Sequence, residues 1–172
     1  MSGIQALLAR RRVPLGFASA VAAVALARPT PEFLAWGMAV AAAGEAVRVW
    51  AAGHLEKGRE VTRSGPYRFS RHPLYVGSSL MGAGIALASA SIPVAVVTAV
   101  YLGATLTAAI RTEEAFLRGK FGPEYDDYCH GRAASVARSF SWNRAWRNRE
   151  WRAVVGLCAV AVVLAAKAAW MN

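Results

Sequence analysis

Two short runs combine residue types that can do chemistry. The first is Arg71-His72-Pro73-Leu74-Tyr75-Val76-Gly77, preceded by Ser64-Gly65-Pro66-Tyr67. Gly65-Pro66 forces a turn, and Pro73 biases His72 away from helical geometry. If a helix starts at Pro73, its unpaired N–H groups and positive dipole end add to Arg71 and His72, and the corner can hold an anion or a carboxylate. The second run is Arg111-Thr112-Glu113-Glu114. Adjacent carboxylates near a helix C-terminus oppose the dipole. Two readings account for them: ion pairs from Arg111 to Glu114 and from Glu114 to Arg118, or a carboxylate that receives a ligand's ammonium or hydroxyls. A third run, Phe121-Gly122-Pro123-Glu124-Tyr125-Asp126-Asp127-Tyr128, follows closely. Its Tyr125 and Tyr128 can close over a ligand or serve as interface aromatics.

The elements that must position these runs are apolar. The 172-residue chain is 56% hydrophobic with a net charge of +10. Its apolar residues come in blocks separated by Arg-rich blocks, which a soluble domain of this length would not show. Five blocks approach the length of a membrane span: Val13 to Ala27, Phe33 to about Gly53, Leu74 to Ala90, Ile92 to Ile110, and Ala153 to about Trp170. The first also has the form of a signal peptide, with Arg10, Arg11 and Arg12 before it and Ala25-Leu26-Ala27 at its end. A retained helix is preferred because removing it would upset the charge pattern. The expected fold is all-α, an integral membrane protein with about five transmembrane helices. The chain reads as a single domain over 1–172, with a core at about 48–140 and a C-terminal interfacial and transmembrane part at about 140–170.

Seventeen of the twenty Lys and Arg residues fall on one side of a five-span arrangement. By the positive-inside rule that side, with the N-terminus, is cytoplasmic. The lipid bilayer rather than nucleic acid is the expected partner of the basic excess. Outer turns are short, and Ser91 with Pro93 suits the start of a helix, which makes the third and fourth spans a tight hairpin. Gly77, Ser78, Ser79, Gly82 and Gly84 give the third span a small-residue surface for close packing. Trp142 and Trp146, at helical spacing among arginines, read as an interfacial helix over Phe140–Arg147. Glu45 and Arg48 lie inside the second span, where charges mark either a pair or a functional site. Cys129 and Cys158 are expected to stay unpaired, and the scattered His54, His72 and His130 give no metal-ligand spacing, so no metal is expected.

Taken together, Gly65-Pro66-Tyr67, Arg71-His72-Pro73-x-Tyr75-x-Gly77, Gly82-Ala83-Gly84, Glu113-Glu114 and Phe121-Gly122-x-x-Tyr125-x-x-Tyr128 resemble the integral membrane methyltransferases that include isoprenylcysteine carboxyl methyltransferases and phospholipid (phosphatidylethanolamine) methyltransferases. The resemblance covers about Arg48 to Phe140. It implies S-adenosylmethionine as methyl donor and a lipophilic methyl acceptor, an isoprenylcysteine-like carboxylate or a phospholipid amine. It implies a cofactor site near the cytoplasmic face: Gly82, Gly84, Glu113 and Glu114 match positions associated with cofactor binding in the phospholipid members, and Arg71, His72, Tyr75 and Gly77 match the His-Pro region of the isoprenylcysteine members. Tyr125 and Tyr128 complete the expected set. An activated donor needs alignment and water exclusion more than a dedicated base, so no base is assigned. Arg48, Lys57 and Arg111 are candidates to orient an anionic acceptor. Two other readings are a membrane reductase of the steroid-reductase type, which would bind NADPH and shares an Arg-His-Pro-x-Tyr region, and a non-catalytic membrane protein.

Overall fold

The computed structural model describes residues 21–171, and within them every regular element is helical. Residues 21–26 are helical; the rest of the first expected span, with the signal-peptide question, lies outside the described residues. Four long helices follow: α1 (Pro31–Ala52), α2 (Pro73–Ala88), α3 (Ile92–Phe121) and, near the C-terminus, α6 (Trp151–Met171). Between them come a 3-10 turn (Gly65–Arg68) and two short helices, α4 (Pro123–Cys129) and α5 (Trp142–Arg147).

Helix starts follow local chemistry. The Thr30 hydroxyl accepts from Phe33 N, and Pro31 occupies the first turn of α1, where a missing N–H costs nothing. Pro73 and Pro93 do the same for α2 and α3, with His72 and Ser91 as the capping residues. The α2–α3 hairpin closes through Ser89, Ala90 and Ser91, and Ala90 takes a left-handed φ of 46°.

α3 and α6 are both long and apolar enough to cross a membrane, and only 6% and 11% of their apolar windows are buried. A core helix of a soluble protein would be mostly covered, so this exposure fits lipid contact. α2 is a shorter apolar helix. α3 outruns its expected end at Ile110. At about 1.5 Å per residue its 30 residues reach about 45 Å, against about 30 Å for a hydrocarbon core. The extra turns hold because Arg111, Glu113, Glu114, Ala115, Leu117 and Arg118 favour helix, with Glu114 and Arg118 paired at 3.7 Å, until Gly122-Pro123 ends it. Glu113, Glu114 and Phe116 thus stand on a helical post beyond the apolar zone. The interfacial helix is shorter than expected. It starts at Trp142, where the Ser141 hydroxyl accepts from Arg144 N, and it leaves Trp142 and Trp146 exposed.

α1 and α2 pack backbone to backbone. A Cβ on Gly84 would meet Ala41 and the Gly37 carbonyl, and one on Gly77 would lie 2.6 Å from both the Gly44 carbonyl and Arg48 Cγ. Inside this pair sits a polar cluster. Arg48 Nε lies 2.7 Å from Glu150 Oε1 and 3.6 Å from Glu45 Oε2, and its guanidinium also donates to Ser78 and toward the Leu74 carbonyl. Glu45 and Glu150 are buried.

Candidate active site

The corner before α2 is built as its residues dictate. Gly65 takes φ 55°, and a Cβ there would lie 2.6 Å from the His54 ring, so only glycine fits. Tyr67 is buried behind it, and its carbonyl accepts from Tyr128 Oη at 2.7 Å. That bond ties α4 to the corner across 61 residues. His72 leaves the corner with φ −130° and ψ 54°, which turns its ring toward the post of α3. There Nε2 lies 3.1 Å from Glu114 Oε1, and Nδ1 lies 4.0 Å from Glu113 Oε2. Glu114 also meets Arg71 at 3.4 Å and Arg118 at 3.7 Å. Of the two expected ion-pair partners of Glu114, Arg118 pairs with it. Arg111 is exposed and makes no ion pair among the described residues.

Beside this cluster lies a cavity of about 470 Å³, within the usual range for small-molecule sites. Its walls come from the corner, α2, the lower part of α3, α4 and the loop after α1. Lys57, Glu60, Arg71 and Glu113 supply charge of both signs; Tyr67, Tyr75, Tyr125, Tyr128 and Phe116 supply aromatic surface. The loop 55–62 forms one wall and is held from three directions: Lys120 Nζ donates to the Gly58 carbonyl at 2.7 Å, Arg138 to Glu60 at 2.8 Å, and Arg147 to Glu56 at 3.1 Å. Burial pushes the Tyr128 phenol up to about 12 and raises those of Tyr67 and Tyr125 further, so all three stay neutral donors at ordinary pH. Tyr125 is almost fully buried, and its hydroxyl has no hydrogen bond of ordinary geometry.

A second depression, a groove of about 1150 Å³, runs the length of the α2–α3 hairpin. It is lined mainly by small and aliphatic side chains, from Ile92 and Phe33 at the outer end to Ser70, His72 and Tyr75 at the inner end. Tyr75 lines both the cavity and the groove.

The structure therefore sorts the residues singled out in the sequence. Lys57, Arg71, Tyr75, Glu113, Tyr125 and Tyr128 border the cavity. His72 borders the groove, and Glu114 stands behind His72. Gly77, Gly82 and Gly84 sit in helix contacts, Gly82 against Leu102 and Thr98 of α3, and none borders the cavity. Arg48 is engaged by Glu150, Glu45 and α2. Sequence reasoning missed Glu60, Tyr67 and Phe116 as lining residues and Glu150 as the partner of Arg48. Tyr67 had a signal in its Gly-Pro-Tyr turn; the others had none at the level of local spacing.

Among the described residues, helices with exposed apolar faces and a cavity at one end of a helical hairpin fit a membrane protein with a small-molecule site. Residues 32–124 match the family described as phospholipid methyltransferase. The chain belongs to that family. Among curated proteins it is 33% identical over 111 residues to the cobalt-zinc-cadmium resistance protein CzcN of Cupriavidus metallidurans, over 63% of this chain and 51% of that protein. It is 34% identical over 93 residues to the nickel-cobalt-cadmium resistance protein NccN of Alcaligenes xylosoxydans xylosoxydans, over 53% of this chain and 43% of that protein. The chain spans about half the length of the curated relatives it matches. No solved structure matches it. Two exposed helices long and apolar enough to cross a membrane accompany this family match. Among the described residues no group of three or more His, Cys, Asp or Glu is placed to hold a metal ion.

Proposed function

We propose that the protein transfers a methyl group from S-adenosylmethionine, held in the cavity, to a lipophilic acceptor lying in the α2–α3 groove. The observation that carries this reading is the position of Tyr75. One side chain borders both a cavity that carries charged and aromatic groups and a groove of small and aliphatic side chains along the hairpin.

The cavity's chemistry fits the donor. A zwitterionic amino-acid end needs both a cation and a carboxylate, and Arg71 or Lys57 with Glu113 or Glu60 supply them. A cationic centre and a planar base both favour aromatic walls, which the four tyrosines and Phe116 provide. The buried Tyr125 hydroxyl has only the weak Cys129 sulfur beside it and can donate instead to a bound ligand. When bound, S-adenosylmethionine supplies a methyl group already activated on a sulfonium. The chain's own residues align the two reactants and exclude water. The loop 55–62 covers the donor side, and Tyr75 stands at the junction. The glycines of α2 set the distance of that helix from α1 and α3.

In this reading the first expected span and α1, α2, α3 and α6 cross the bilayer as five helices. The N-terminus and the cavity face the cytoplasm, where Lys and Arg collect. The acceptor is an isoprenylcysteine-like carboxylate or a phospholipid amine. Transfer of labelled methyl from S-adenosylmethionine to a panel of lipid amines, prenyl-thioether acids and small thiols tests the reading. Labelled lipid product supports it. NADPH binding without S-adenosylmethionine binding would favour the reductase alternative instead.

A further inference from the structure

The groove's inner end holds two titratable side chains, Tyr75 and His72. The His72 ring is held as a proton acceptor is held. Its Nε2 lies at hydrogen-bond distance from Glu114 Oε1, 3.1 Å away, and Glu114 is itself fixed by Arg71 and Arg118. With the Nε2 proton donated to Glu114, the neutral ring presents its lone pair at Nδ1. This is the arrangement in which a carboxylate sets the tautomer of an imidazole base. Nδ1 has one close acidic neighbour, Glu113 Oε2 at 4.0 Å, too far for a direct hydrogen bond. Glu113 borders the donor cavity while His72 borders the acceptor groove. A nitrogen and an oxygen acceptor 4.0 Å apart can both receive N–H bonds from one ammonium group placed between them.

Resting on the methyl-transfer reading above, we propose that His72 is the catalytic base for an amine acceptor. Glu114 is the positioning residue that fixes the tautomer, and Glu113 is the second acceptor for the ammonium. The ammonium N–H bond breaks, its proton passes to Nδ1, and the electron pair stays on nitrogen. That pair then forms the bond to the methyl carbon as the methyl–sulfur bond breaks, with its electrons left on sulfur. The imidazolium lies between the Glu113 and Glu114 carboxylates of α3. The other charged or titratable groups around it are Arg71 and Tyr75 beside it, Arg118 on α3 behind Glu114, and Cys129 of α4, whose sulfur accepts from Arg71 at 3.4 Å. A carboxylate acceptor has no proton to lose and does not need this base.

The test uses the full chain reconstituted in vesicles containing phosphatidylethanolamine, with a prenyl-thioether carboxylic acid as the comparison acceptor. His72→Gln is expected to lower kcat on the amine at neutral pH by about 100-fold or more. Its S-adenosylmethionine affinity should stay within about twofold of wild type, a margin small beside the factor of ten that 1.4 kcal/mol makes. Raising the pH should recover part of the lost rate, because the amine then deprotonates in solution. Glu114→Gln should keep most of the folded protein and shift the acidic limb of the pH profile. Without any donor, dodecylamine should protect His72 from diethyl pyrocarbonate while dodecanoate does not, with the exposed His130 as internal reference. An unchanged kcat and pH profile in His72→Gln, loss of donor affinity in that variant, or equal protection by the acid would each overturn the proposal. Failure of the wild type to bind S-adenosylmethionine would instead overturn the reading on which it rests.

Discussion

Arg48 Nε and Glu150 Oε1 lie 2.7 Å apart across 102 residues, and the pair locks α1 to the entry of α6. The same guanidinium reaches Ser78 and the Leu74 carbonyl, so it also fixes the first turn of α2, which carries Tyr75. Arg48→Ala would leave Glu45 and Glu150 buried without their cation. Breaking a buried pair by removing one partner costs about 3–5 kcal/mol. Thermal unfolding in detergent should show a loss of that order. A near-normal melting profile would mean that Arg48 does not hold the helices together.

The glycines of the helix contacts are expected to differ from those in open space. A side chain at Gly84 has to displace the α1 backbone at Ala41. Overpacking of this kind costs about 1–3 kcal/mol, and more where backbone must move, so Gly84→Leu should melt well below wild type. Gly119 lies in the exposed last turns of α3 with nothing within 4 Å of a built Cβ. Gly119→Ala should raise stability by about 0.5–1 kcal/mol. Paired melting curves of the two variants check the sign at each site.

Tyr125 separates folding from binding. Its buried hydroxyl has no bond of ordinary geometry and only the weak Cys129 sulfur beside it, and a poorly satisfied buried group costs about 1–3 kcal/mol. Tyr125→Phe should therefore stabilise the protein alone while weakening S-adenosylmethionine binding several-fold. If stability falls and affinity is unchanged, the hydroxyl serves the fold and not the ligand.

The tyrosines also give a pH signature. Burial raises Tyr67, Tyr125 and Tyr128 above the ordinary value of 10, with Tyr128 at about 12. Above pH 10 the unfolded chain loses phenolic protons that the folded chain keeps, so stability falls as pH rises from 10 through 12. Ultraviolet titration should find Tyr67, Tyr125 and Tyr128 resisting ionisation at pH 11 until the protein unfolds.

The hairpin explains what was legible in the sequence. Pro73, Ser91 and Pro93 are local signals, and they correctly start α2 and α3. Once those helices run antiparallel, Arg71-His72 and Glu113-Glu114 must emerge together, and the His72–Glu114 contact is the result. The pairing of Glu45 with Arg48 was legible from their spacing of three. Glu150 was not, because its approach to Arg48 depends on how the chain returns after α5. The end of α3 was misjudged because hydropathy stops at Ile110 while helix propensity continues to Phe121. The loop 55–62 was read only for Lys57. Its place as a cavity wall depends on Lys120, Arg138 and Arg147, all distant in sequence.

The most direct measurement is equilibrium binding of labelled S-adenosylmethionine to the purified full chain, with Glu113→Ala and Glu60→Ala in parallel. The account predicts saturable binding at one site, weakened about tenfold or more in at least one variant, since a charged hydrogen bond contributes about 1.5–3 kcal/mol. No saturable binding to the wild-type chain, or equal affinity in both a folded Glu113→Ala and a folded Glu60→Ala variant, would contradict it.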